Sequence, residues 1–146
     1  MTYLLDINLL IALFDPAHVH HEAAHRWLLT IPSPQWASCP LTQNGFVRIL
    51  ASPGYPNLAA SPADLVDRLR VFCSQPGHVF WPDAVSLTDR TLFQPAKLAG
   101  HRQVTDLYLA GLALHFGGRL ATLDSSIPVD ALVNPPVELI TVVPTS

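Results

Sequence analysis

Residues 105–124, TDLYLAGLALHFGGRLATLD, decide how the rest of the chain is read. The stretch opens on a carboxylate, runs through an apolar helix, stops at two glycines and closes as a short apolar strand ending on a second carboxylate. Thr105 suits a helix N-cap, which sets Asp106 in the first turn, where the helix macrodipole favours negative charge. Val104, Leu107, Leu109, Ala110, Leu112, Ala113 and Leu114 make the helix apolar nearly all round, the pattern of a buried helix. Gly117 and Gly118 supply the left-handed stop. Residues 120–123 then form a buried strand with Asp124 at its carboxyl end. A helix start and a strand end aim two acids at one place.

Working outward, a third acid stands in the same relation to the first strand. Asp6 follows the apolar run Tyr3-Leu4-Leu5, and a helix over 8–14 comes next. Ala23, Ala24, Trp27 and Leu28 share one face of a helix over 20–29, which Pro32 and Pro34 end. A strand over 35–38 precedes a helix over 41–50, with Thr42 as its candidate cap. Ser61-Pro62-Ala63-Asp64 is a strong helix start, with Ser at the cap and Pro at the first position. Residues 78–81 and 138–143 read as strands, and 88–97 as partly helical. Strands alternating with helices give an α/β fold, a central parallel sheet covered on both faces. There is no internal repeat and no linker, so residues 1–146 are one domain.

Composition narrows the function. The chain has 146 residues, 49% of them hydrophobic and 13% charged, with a net charge of −3. A domain of this size buries about 70% of the surface its unfolded chain exposes. Nothing in the overall charge advertises nucleic-acid binding, so any such contact rests on a local patch. Cys39 and Cys73 follow no metal or redox spacing and are expected as free thiols. The apolar opening carries Asp6 and Asn8 and lacks a basic leader or cleavage site, and no stretch reaches the ~18 apolar residues of a membrane span. The expectation is a cytoplasmic protein with no membrane partner.

The architecture says where chemistry sits. In open parallel sheets, ligands bind beyond the carboxyl ends of the strands, where strand order reverses. Asp6, Asp106 and Asp124 are all placed at that edge. Any one of them alone reads as a cap or turn residue; three at corresponding element ends read as a site. Clustered carboxylates repel and call for protons or cations. Hard oxygen donors suit Mg²⁺ or Mn²⁺, which engage phosphate oxygens and activate water for in-line displacement. A dehalogenase-type phosphohydrolase would need an acid where Asn8 stands, and both it and a receiver domain would need a placed lysine; Lys97 is the one lysine of the chain.

Taken in order, Leu5-Asp6-Ile7-Asn8, the helix with Trp27, Thr42-Gln43-Asn44-Gly45-Phe46-Val47-Arg48, Thr105-Asp106-Leu107-Tyr108-Leu109-Ala110 and Ala121-Thr122-Leu123-Asp124 resemble the PIN domain, and more narrowly the VapC toxins of VapBC toxin–antitoxin pairs. The likeness runs nearly end to end. It implies a three-layer α/β/α fold with a mostly parallel sheet. It also implies a Mg²⁺- or Mn²⁺-dependent endoribonuclease acting on RNA, usually a homodimer and silenced by a VapB-like antitoxin. By the same likeness Asp6, Asp106 and Asp124 are the catalytic, metal-holding acids, while Asn8, Gln43 and Thr122 orient ligands or water. One departure stands out. Such nucleases generally carry a Glu where this chain has Gln43, whose carbonyl oxygen can bind an ion or water without bringing charge. The alternative is therefore a PIN-fold interaction module with weak or no activity.

His18, His20, His21 and His25 read chiefly as a solvated helix start and secondarily as a zinc site. Arg102 is the candidate RNA phosphate contact, equally readable as a surface ion-pair partner. Trp36, Tyr55 and Trp81 read as base-stacking platforms or as core anchors. Trp27, Leu28, Phe46 and Val47 suggest helices apolar enough to leave a groove for a partner helix.

Overall fold

The computed structural model describes residues 1–145. Five parallel strands form one sheet: β1 (Thr2–Leu5), β2 (Gln35–Ser38), β3 (His78–Phe80), β4 (Arg119–Thr122) and β5 (Ile140–Val142), in the order β3-β2-β1-β4-β5. The chain leaves β1 towards β2 and β3, then returns to place β4 on the other side of β1. Strand order thus reverses between β1 and β4, and the crevice at their carboxyl ends is where such sheets hold ligands.

Helices cover both faces. On one side lie α1 (Ile7–Phe14), α2 (His21–Leu29), α3 (Pro40–Leu50) and α4 (Pro62–Cys73), packed over Leu5, Trp36 and Ala121. On the other lies α5 (Val104–His115), over Leu4, Ala37 and Leu120. The three-layer α/β/α architecture read from the family likeness is present. Leu9, Leu10, Ile11, Ala12 and Leu13 are buried at five consecutive positions, more than a full turn, so α1 is enclosed by its neighbours rather than amphipathic. The Ser61 hydroxyl caps α4 by accepting the Asp64 N–H at 3.1 Å, as its sequence required.

Three boundary expectations differ. α5 begins at Val104 after a 3-10 turn (His101–Gln103), so Thr105 lies inside the helix and Gln103 occupies the cap position without a side-chain bond. Asp106 remains in the first turn. Cys39 rather than Thr42 precedes α3; the Thr42 hydroxyl reaches back instead, accepting the Cys39 N–H at 2.9 Å. The region 88–97 is built of turns, a short 3-10 helix (Pro95–Lys97) and a bridge between Phe93 and Leu132. At the end of α5, Gly117 alone takes the left-handed conformation, with φ of 69°. Gly118 is needed for closeness instead, since a Cβ there would stand 2.6 Å from the Thr2 carbonyl oxygen.

The histidines have a structural task that the sequence did not disclose. The His21 ring bonds the Ala12 carbonyl at 2.8 Å and the His25 ring bonds the Leu13 carbonyl at 2.9 Å. These are carbonyls at the carboxyl end of α1 that lack partners within the helix. The two imidazoles fasten α2 to α1. Trp36, Trp81, Trp27 and Phe46 are buried in the core, so none of them is a stacking platform or a groove wall. Tyr55 donates its hydroxyl proton to Asp15 at 2.5 Å and anchors the loop after α3. Cys39 and Cys73 are free thiols.

Candidate active site

β1 ends at Leu5 and α1 begins at Ile7, which makes Asp6 the joint between them. Its N–H continues the sheet ladder to the Ala121 carbonyl at 3.0 Å. Its carboxylate oxygen Oδ1 caps α1 by accepting the Ile7 N–H at 2.7 Å. The other oxygen, Oδ2, accepts the Thr122 hydroxyl at 2.7 Å. That hydroxyl in turn accepts the Asp124 backbone N–H at 3.0 Å. A threonine has one proton to give, and here it goes to Asp6, so the direction of the chain is fixed: Asp124 N–H to Thr122 to Asp6. Thr122 is fully buried and ties the two strand ends into one unit. Asp124 is itself held in a tight turn, its Oδ1 accepting the N–H and hydroxyl of Ser126 at 2.8 and 2.7 Å.

Asp106 reaches the same edge from α5, which runs against the strands and begins where they end. Among the described residues its carboxylate accepts no side-chain or backbone hydrogen bond. Burial, then the charges of Asp6 and Asp124, push its pKa up to about 6. Burial also raises Asp6, against the lowering effect of its bonds from Thr122 and Ile7, and Asp124 adds to the rise. The three acids therefore share one field, with no base to balance it. Among the described residues the one ion pair is Arg70–Asp67, exposed on α4. Arg102 is exposed on the turn that leads into α5.

Uncompensated oxygen donors fit a hard divalent cation and suit nothing softer. The cage is open: among the described residues no three His, Cys, Asp or Glu side chains converge on one ion position. Of the three acids, Asp106 is the one no hydrogen bond fixes.

The supporting residues are placed unequally. Thr122 links Asp6 and Asp124 directly. Asn8 is exposed on the first turn of α1, and its side chain makes no hydrogen bond among the described residues. The Gln43 amide nitrogen donates to the Ser38 hydroxyl at 3.0 Å rather than to any of the three acids. Ser38 and His78, joined at 2.8 Å, were not singled out in the sequence. The signal for Ser38 was a hydroxyl closing an otherwise apolar strand, the same signal that Thr122 gives. A cavity of about 660 Å³ lies between α3 and α4, with Gln43, Val47, Ala51, Val66 and Leu69 on its walls and none of the three acids among them.

The sequence profile of the PIN domain matches residues 3–129. The chain belongs to the PIN domain family. It is similar to Ribonuclease VapC39 of Mycobacterium tuberculosis, 42% identical over 127 residues that span 87% of this chain and 91% of the relative. Ribonuclease VapC29 of the same organism is 46% identical over 127 residues, covering 87% of this chain and 89% of the relative. The fold also matches a crystal structure of Mycobacterium tuberculosis VapC20, described as a sarcin–ricin loop cleaving toxin, with a TM-score of 0.59. That match covers 92% of this chain and 99% of the other at 11% identity, so it speaks for the PIN fold alone.

Proposed function

We propose that this PIN domain is an endoribonuclease that depends on Mg²⁺ or Mn²⁺ and acts as the toxin of a toxin–antitoxin pair. The observation that carries this reading is the gathering of three aspartates with no basic partner, Asp6 and Asp106 among them with raised affinity for protons. The VapC ribonucleases it resembles support the substrate class and, through their name, a VapB-like antitoxin. Asp6, Asp106 and Asp124 would hold the ion. When bound, the ion would polarise a phosphate oxygen and lower the pKa of a water nucleophile.

The chain's own residues do the rest. Thr122 and the Ile7 N–H hold the Asp6 carboxylate in one orientation and partly offset the rise in its pKa that burial brings. Asp106 must lose its proton before it can serve as a ligand, which it does as pH rises through about 6. Arg102, in the turn that leads into α5, would meet an RNA phosphate. The protein works in the cytoplasm as a homodimer when free of its antitoxin.

The second reading, a PIN-fold interaction module without activity, draws on Gln43, whose amide is engaged by Ser38 where related nucleases carry an acid. One experiment separates the two. The purified protein is incubated with total RNA plus Mg²⁺ or Mn²⁺, with chelator, and with co-expressed antitoxin. Cleavage only in the presence of the free ion and absent with antitoxin is the expected result. An intact, antitoxin-binding protein that leaves all RNA uncut supports the module.

A further inference from the structure

Away from the acids, His18, His20, His21 and His25 gather where α1 hands over to α2. His21 Nδ1 lies 2.8 Å from the Ala12 carbonyl oxygen, and His25 Nε2 lies 2.9 Å from the Leu13 carbonyl oxygen. A carbonyl oxygen only accepts, so the proton in each contact belongs to the ring. In the neutral imidazoles the second nitrogen is then bare, Nε2 in His21 and Nδ1 in His25. Both tautomers are fixed by backbone partners. His18 is committed the other way: its Nδ1 accepts the His20 N–H at 3.0 Å, which puts its proton on Nε2 and leaves no bare nitrogen.

His21 and His25 stand one turn apart on the same face of α2, with ring centroids 4.4 Å apart. The two nitrogens of an imidazole point to different sides of the ring. Rings that turn one nitrogen into the carboxyl end of α1 therefore turn the other away from it. That side is open, since His21 is half-buried and His25 exposed. The run His21-Glu22-Ala23-Ala24-His25 has the spacing of helices that hold zinc between two histidines four apart. Histidines that ligate a metal as a rule donate their other N–H to a carbonyl or carboxylate, which fixes the ring and makes the ligating nitrogen more basic. Both rings have such a partner here. Among the described residues no third His, Cys, Asp or Glu completes a cluster, which leaves the remaining coordination positions to water.

We propose that His21 Nε2 and His25 Nδ1 form a two-nitrogen site for a borderline metal ion, Zn²⁺ or Cu²⁺, at the joint between α1 and α2. Imidazole nitrogens suit these ions, whereas Mg²⁺ and Mn²⁺ go to carboxylates. The protein then holds two ion sites of different chemistry, hard donors at the aspartates and softer ones at the histidines. The site binds rather than catalyses, because the third protein ligand of zinc hydrolases is missing. An ion held there fixes both rings, and through their bonds to Ala12 and Leu13 it braces α2 against α1, the helix that Asp6 caps at its other end.

The test is thermal melting with Zn²⁺ in an Asp106→Asn background, which weakens the competing carboxylate site. His21→Asn and His25→Gln place an amide N–H where the ring N–H stood, so each keeps a donor for its α1 carbonyl and loses the bare nitrogen. Zn²⁺ at about ten times its dissociation constant should raise the parent melting temperature by about 2–4 °C. Each histidine variant should lose that gain, and His18→Asn should keep it. ¹⁵N NMR of the wild-type rings should show Nδ1–H in His21 and Nε2–H in His25 without metal, and Zn²⁺ should move the signals of the two bare nitrogens. No gain in the parent, a gain that survives either substitution, the opposite tautomers, or zinc shifts confined to other histidines would overturn the proposal. The NMR readout decides even if a variant fails to fold. A protein that cuts no RNA would remove the nuclease reading and leave this result untouched.

Discussion

Two neighbouring corners of the sheet are built on opposite rules. At the carboxyl ends of β1 and β4, Asp6, Asp106 and Asp124 gather charge that no base balances, and burial makes that charge more costly. One strand away, Ser38, His78 and Gln43 form a polar chain without a carboxylate, joined at 2.8 and 3.0 Å. The first corner becomes favourable only with a proton or a cation; the second gathers no like charges and has no such demand. A hydroxyl closes each strand at the boundary, Thr122 in the charged corner and Ser38 in the neutral one. The difference lies in what those hydroxyls meet, a carboxylate in one case and an imidazole and an amide in the other.

The contrast breaks most visibly if a charge is removed from the first corner. Asp6→Asn or Asp106→Asn should each lower RNA cleavage by ~100-fold or more at saturating metal, since even outer groups around metal ligands are worth 10–100-fold. Circular dichroism should stay native. Full activity in either variant would contradict the shared site.

A smaller effect is expected from cutting the link between the strand ends. Thr122→Val keeps the shape but leaves Asp6 Oδ2 and the Asp124 N–H without their partner, at a cost of about 1–3 kcal/mol read by denaturant unfolding. Cleavage should fall about 10–100-fold, as for other groups that orient a ligand. If Thr122→Val matches wild type in both, the link has no role.

The smallest effect has the opposite sign. Asp106 has a folded-state pKa of about 6, above its ordinary value of 3.8, so the folded chain binds more protons than the unfolded one between those values. Metal-free stability should therefore fall as pH rises from 4 towards 6, through that window. Asp106→Asn should recover on the order of 1 kcal/mol at neutral pH, a figure already reduced because the carboxylate is half exposed to solvent screening. Thermal melts should show it as a gain of about 2–4 °C, which added Mg²⁺ cancels by stabilising only the wild type.

The charged corner was legible in the sequence because its signals are local. Asp6 and Asp124 each follow a short apolar strand, and Asp106 opens an apolar helix; pattern alone puts them at one edge of a parallel sheet. The neutral corner was not legible. Ser38 and His78 are 40 residues apart, and their bond depends on β2 and β3 pairing with Trp36 opposite His78, a register no periodicity announces. The His21 and His25 pair looked like solvent-facing residues because their partners are backbone carbonyls of another helix, which carry no sequence signature. Thr105 failed as a cap since the preceding 3-10 turn already supplies helical backbone one residue earlier. The segment 88–97 has the turn residues Asp89 and Pro95, whose local bonds compete with a helix.

Calorimetric titration of the purified protein with Mn²⁺, at about pH 7.5 and again at about pH 5, tests the charged corner most directly, because the two values bracket the Asp106 pKa. The expected result is binding at the higher pH that weakens at least about tenfold at the lower one and is lost in Asp106→Asn. Equal affinity at both pH values, or unchanged binding in Asp106→Asn, would contradict a metal site built from these three aspartates.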